Sequence, residues 1–165
     1  MPGMRLPITR TNVHAGLNNN TMEANMNRQT FSDRAAAIVT GASRGIGAAI
    51  AARLAQEGRP VVVNYCGSAA KAAELVAEIT GKGGRAVAVK ADVTVPQQAE
   101  SLFDAAEKQF GEVGVLVNNA GLMQPGLVPL AQTDDELFDR IVAVNFRGVF
   151  NMCWPGTSPK RNTGK

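Results

Sequence analysis

The chain has 165 residues, 45% of them hydrophobic, and a formal net charge of +3. That length sets an expectation of one folded domain, and no apolar run approaches the ~20 residues of a transmembrane helix. The positive charge sits at the ends: residues 1–34 carry +2, residues 151–165 carry +3 and residues 35–150 carry −2, so the folded part lacks the basic excess of a nucleic-acid-binding domain.

One histidine excludes a His-cluster metal site, and there is no Cys-x-x-Cys. Cys66 and Cys153 read as two reduced thiols of a cytoplasmic protein. Residues 1–34 read as a disordered N-terminal extension or the product of a misassigned start codon. Asparagine is frequent there (Asn12, Asn18, Asn19, Asn20, Asn25, Asn27) and no apolar period survives. A transit peptide is the alternative, on its Arg, Thr and scarcity of acids.

From Ala35 the chain alternates. Residues 35–40 form an apolar strand, followed by T-G-A-S-R-G-I-G at Thr40 to Gly47 and a helix over 45–57, with Ile46, Ile50 and Leu54 at i, i+4, i+8. A glycine turn at a helix N-terminus points N–H groups at an anion, so a phosphate can sit there. Gly41 permits a tight turn, Gly45 lets a pyrophosphate approach, and Gly47 lets helix and strand pack closely. A glycine-rich turn without a ligand is the alternative, since the spacing is not the common G-x-G-x-x-G.

Gly58 stops the helix. Pro60 to Tyr65 is a second, β-branched strand. Ser68 caps a second helix that buries Ala72, Leu75, Val76 and Ile79, ended by Gly81, Gly83 and Gly84. Ala86 to Val89 is a third strand. Thr94 caps a third helix with Pro96 in its first turn and Ala99, Leu102, Phe103, Ala106 and Phe110 on its apolar face; Gly111 closes it. Val113 to Val117 is a fourth strand. Thr133 with Glu136 forms a capping-box signature, and a fourth helix carries Leu137, Ile141 and Val144 on one face. Pro155 and Pro159 stop it, so residues 153–165 read as an irregular tail. Four strand–helix repeats with continuous apolar strands imply an α/β fold, a doubly wound parallel sheet of order 3-2-1-4, with a ligand crevice between strands one and four.

These residues resemble the short-chain dehydrogenase/reductase family, in its 3-oxoacyl-carrier-protein reductase-like and glucose-dehydrogenase-like branches. The motifs are T-G-A-S-R-G-I-G at 40–47, Asp92-Val93, N-N-A-G at 118–121 and V-N-F-R-G-V-F at 144–150. The likeness covers about residues 35–151 and implies the N-terminal part of a Rossmann-like domain over 35–152. It also implies an oxidoreductase that interconverts a ketone and a secondary alcohol with a nicotinamide dinucleotide. Gly41, Ser43, Arg44, Gly45, Ile46 and Gly47 would line pyrophosphate and adenosine. Asp92 would accept from the adenine amine, with Val93 beside it. Asn118, Ala120 and Gly121 would border ribose and nicotinamide, and Asn118 alternatively braces strands. Asn145 matches the helix Asn that holds a water in a proton relay; a buried Asn at a helix kink is the compatible alternative. A homo-oligomer is typical of the family.

Cofactor choice follows from charge. An acid after the second strand binds the 2′-OH of NAD. Here that stretch is Asn64-Tyr65-Cys66-Gly67-Ser68, with no carboxylate, and Arg44 can pair with a 2′-phosphate, the alternative being a solvated turn cation. NADP(H) is therefore expected over NAD(H), with Asn64 at the cofactor site. The chain departs from the family's chemistry. Its single tyrosine, Tyr65, has Ala69 four residues on, so the Tyr-x-x-x-Lys pair and the upstream Ser are absent. The expectation is a C-terminally truncated chain, either a catalytically inactive NADP-binding remnant or an unstable fragment.

Overall fold

Four β-branched or alanine-rich runs form the strands β1 (Ala36–Val39), β2 (Val61–Tyr65), β3 (Ala86–Lys90) and β4 (Val113–Val117) in a computed structural model. The structure describes residues 35–124, 126, 129 and 132–157. The expectations for residues 1–34 and 158–165 lie outside that set. The sheet is parallel with order β3-β2-β1-β4, as the strand–helix alternation predicts. Ala37 faces Val61 on one side and Val115 on the other, and the β1–β4 register slips between Ala36 and Ala37.

Side chains alternate along each strand, so two cores form. Ala37, Val39, Val61 and Val63 meet helices α1 (Gly45–Gln56) and α2 (Ala69–Gly81) on one face. Ile38 and Val62 meet helix α3 (Pro96–Phe110) and Met152 on the other. The central strands β1 and β2 are buried on both faces, which leaves them unbroken apolar runs, whereas β3 and β4 are half-buried.

The helix faces largely follow their apolar spacing. Ala72, Leu75 and Ile79 of α2 are buried, and so are Ala99, Leu102, Phe103 and Ala106 of α3. In α1 the buried face is Gly47, Ala51 and Ala55, one position past the expected Ile46–Ile50–Leu54 stripe. Small residues let that helix lie close to the sheet, and Ile46 is left 75% exposed. Helix ends hold two further corrections, at α3 and at the helix that follows it. Val95, not Thr94, is the N-cap residue of α3, with Pro96 in its first turn. Asp134, not Thr133, caps helix α4 (Asp135–Val142), its carboxylate accepting from Leu137 N–H at 2.7 Å. Ser68 holds the cap position of α2 without a side-chain bond. Gly58, Gly83 and Gly111 follow their helices at φ +87°, +83° and +86°, conformations that glycine adopts without strain.

After α4 the chain makes a π-helical turn, Ala143–Arg147, and continues as helix α5 (Gly148–Thr157). Helix α5 thus passes Pro155, where an irregular tail was expected. Pro155 has no N–H to give, so the helix runs past it one backbone hydrogen bond short. Helix α5 packs on α3.

Leu102 is fully buried against Ile38 and Val62. Leu102→Ala should lower unfolding stability by about 3 kcal/mol, read as a lower urea midpoint with an unchanged slope.

Candidate functional site

The turn after β1 is built by backbone groups held in unusual places. Gly41 and Gly45 take φ +61° and +58°, values that cost an L side chain. A Cβ at Gly41 would stand 2.9 Å from Ala120 Cα, so the turn presses on the segment after β4. A Cβ at Gly45 meets nothing within 4 Å, so that position opens onto the groove. A Cβ at Gly47 would strike Asn119 Nδ2, and it would come within 2.9 Å of Gly41 O. Gly47 therefore permits the helix to close on its own turn.

Three side chains fix this geometry. The Thr40 hydroxyl donates to Val117 O at 3.2 Å and accepts from Asn119 N–H at 3.0 Å and Ala120 N–H at 2.9 Å. Asn119 Nδ2 donates back to Thr40 O at 2.8 Å and Gly41 O at 3.2 Å. Asn64, 2% exposed, accepts from Gly41 N–H at 3.2 Å and donates to Ala91 O at 3.0 Å. Asn64 therefore lines the site as a clamp whose polar atoms serve the protein's own backbone. The expected strand brace is Asn119 rather than Asn118. Asn118 is exposed, donates to Cys153 Sγ at 3.6 Å and does not line the groove.

The resulting groove, about 570 Å³, lies at the carboxyl ends of the strands. Gly41, Ser43, Arg44, Gly45, Ile46 and Gly47 form one side, with Asn64 at the base. Asp92 and Val93 form a second wall, and Ala120 and Gly121 a third. No side chain caps α1, and its first turn holds no acid, which leaves the positive end of the helix dipole for an anion. The end of β2 supplies Cys66, Gly67 and Ser68. The Asp92 carboxylate accepts from Thr94 N–H at 2.9 Å and Thr94 Oγ1 at 2.7 Å. It is thereby a turn residue as well as a groove residue.

Asn145 lies in the π turn, outside the groove lining. Its Oδ1 accepts from Leu122 N–H at 2.7 Å and its Nδ2 donates to Leu122 O at 2.9 Å. Both amide functions thus tie the helix to the segment after β4.

A family model described as short chain dehydrogenase matches residues 35–164. The chain belongs to that family. A chloroplastic NADPH-dependent aldehyde reductase-like protein of Arabidopsis thaliana is 47% identical over 124 residues, covering 69% of this chain and 46% of that protein. A 3-oxoacyl-[acyl-carrier-protein] reductase of Staphylococcus epidermidis is 44% identical, covering 70% and 46%. Among solved structures, a dehydrogenase/reductase from Sinorhizobium meliloti 1021 superposes with TM-score 0.71 at 41% identity, covering 76% of this chain and 50% of that one. A short chain dehydrogenase from Burkholderia cenocepacia in complex with NADP gives 0.67 at 40% identity, covering 72% and 48%. The chain thus spans about half the length of the relatives it matches.

Within this short chain dehydrogenase fold, sequence reasoning missed Asn119 as the brace and Ala91 and Val144 as groove residues. The doubled Asn of N-N-A-G was the available signal for Asn119. For Ala91 and Val144 no polar or glycine signal exists.

Thr40→Val keeps the shape and removes the hydroxyl. It leaves the Asn119 and Ala120 amides without their acceptor, at a cost of about 2–3 kcal/mol. Denaturant unfolding should show that loss, and amide exchange at Asn119 and Ala120 should accelerate.

Proposed function

We propose that the groove holds NADP(H), and that this chain is the cofactor-holding part of an oxidoreductase interconverting a ketone and a secondary alcohol. One observation carries the choice of cofactor. The end of β2 brings Cys66, Gly67 and Ser68 to the groove without a carboxylate, while Arg44 is exposed at the mouth of α1. Neither ion pair among the described residues engages Arg44. An acid there would hydrogen-bond a free 2′-hydroxyl and repel a phosphate; a guanidinium does the reverse. The relatives' names agree: an NADPH-dependent reductase, and structures in complex with NADP and NADPH.

In this reading the Gly41–Gly47 backbone holds the pyrophosphate at the N-terminus of α1. Arg44 pairs with the 2′-phosphate, Asp92 accepts from the adenine amine beside Val93, and Ala120 and Gly121 border the nicotinamide ribose. When bound, the nicotinamide supplies or accepts a hydride. The proton-relay role of Asn145 rests on resemblance alone, since its side-chain amide is engaged by Leu122. These 165 residues contain no Tyr-x-x-x-Lys pair. Without a positioned acid, carbonyl reduction loses about 10²–10⁴-fold. In this reading the residues present hold the dinucleotide, and the positioned proton donor is not among them. A second reading, an unstable fragment, has one observation in its favour. Phe146 and Trp154 are 77% and 67% exposed, apolar surface that invites association.

Titration of the purified full chain with NADPH and NADH, by fluorescence or calorimetry, should give saturable binding, with NADPH about tenfold tighter or more. Arg44→Ala should abolish that preference and leave NADH affinity within about twofold. Equal affinities in the wild type would overturn the NADP assignment; aggregated protein with no binding would favour the second reading.

A further inference from the structure

The element that carries Asn145 also reaches the opposite wall of the groove, through a buried polar side chain to which neither the motifs nor the groove lining draws attention. Asn151 in α5 is 5% exposed. Its Nδ2 donates to Val93 O at 2.9 Å and to Thr94 O at 3.1 Å. Those two carbonyls belong to the turn 92–95, closed by Val95 N–H to Asp92 O at 3.1 Å. The same turn presents Asp92 and Val93 to the groove. One helical turn earlier, a Cβ at Gly148 would come 2.7 Å from Val93 Cγ2, so the helix sits directly on that side chain. Gln98 of α3 fixes the turn from the other side, its Oε1 accepting from Asp92 N–H at 2.7 Å.

A buried primary amide that spends both protons on two successive carbonyls of one turn constrains that turn's rotation as well as its position. The Thr94 bonds then set where the Asp92 carboxylate points. We infer that Asn151 is a positioning residue for the adenine end of the groove. It holds the Asp92–Val93 wall in register with the wall that Asn145 ties through Leu122, so one continuous helical segment sets the span between them. This rests on the NADP(H) reading above.

The test reads base recognition instead of overall affinity. The full chain is titrated with NADPH and with its deamino analogue, in which hypoxanthine replaces adenine and the 6-amine is lost. Wild type should prefer NADPH by about tenfold, the worth of one hydrogen bond to a carboxylate. Asn151→Leu removes both donors at similar volume and should bring that ratio to within about twofold of one. Gly148→Ala presses on Val93 without removing a hydrogen bond and should lower the ratio in the same direction. A purely structural loss would weaken both ligands alike and leave the ratio unchanged; that result in either folded variant overturns the inference, as does unfolding of both variants. Wild type that binds neither dinucleotide would sink the NADP(H) reading instead. Hydrogen exchange would then decide the positioning claim: faster exchange of the Thr94 and Val95 amides in Asn151→Leu, with the Gly41–Gly47 amides unmoved, supports it, and unchanged exchange refutes it.

Discussion

The groove depends on one hydroxyl. Thr40, 1% exposed, stands where β1 ends and the glycine turn begins. Its oxygen takes two amides from the segment after β4 and gives its proton to Val117 O. Parallel strands end in backbone groups that the ladder no longer pairs, and buried groups of that kind must find partners. Here they find one another through Thr40, Asn119 and Asn64. The glycine turn is therefore fixed on the protein's own side, by hydrogen bonds already spoken for.

The division of labour follows from burial. Away from the groove, the two cores are aliphatic and aromatic, and small residues in α1 set the helix–sheet distance. Among the described residues the buried polar ones, Thr40, Asn64 and Asn151, all act on loops at the carboxyl end of the sheet. Apolar packing sets the architecture, and a small set of satisfied polar side chains sets the groove. Such a split lets a doubly wound sheet keep its shape while its loops change chemistry.

Most of the architecture was legible because parallel strands buried on both faces leave unbroken runs such as Val61 to Val63, separated by helical spacing. Glycine stops were legible for a local reason: positive φ selects that residue at 58, 83 and 111. Cap identity was less so, because Thr94 and Thr133 both sit in plausible capping patterns while the residue after each of them takes the cap position. Thr94 is drawn to Asp92, which leaves Val95 to begin the helix. In the groove, the glycine turn, Asp92, Val93, Ala120 and Gly121 lie where motif order placed them. Asn118 and Asn119 could not be told apart, since adjacent residues after a strand point to opposite sides and nothing local says which side faces Thr40. Helix α5 packs on α3 and runs past Pro155, where local propensity predicts a stop.

The β4–β1 pairing has a temporal side. Strands β1, β2 and β3 are neighbours both in sequence and in the sheet, whereas the Thr40–Val117 bond joins residues 77 apart. Closing that long loop costs entropy before any contact repays it. As the chain leaves the ribosome, β1 to β3 with α1 and α2 can collapse first, while the Gly41 turn still lacks Ala120 to press against. The glycine turn is then the last part of the groove to take shape, and a nascent chain arrested before β4 would carry the glycine motif without its shape.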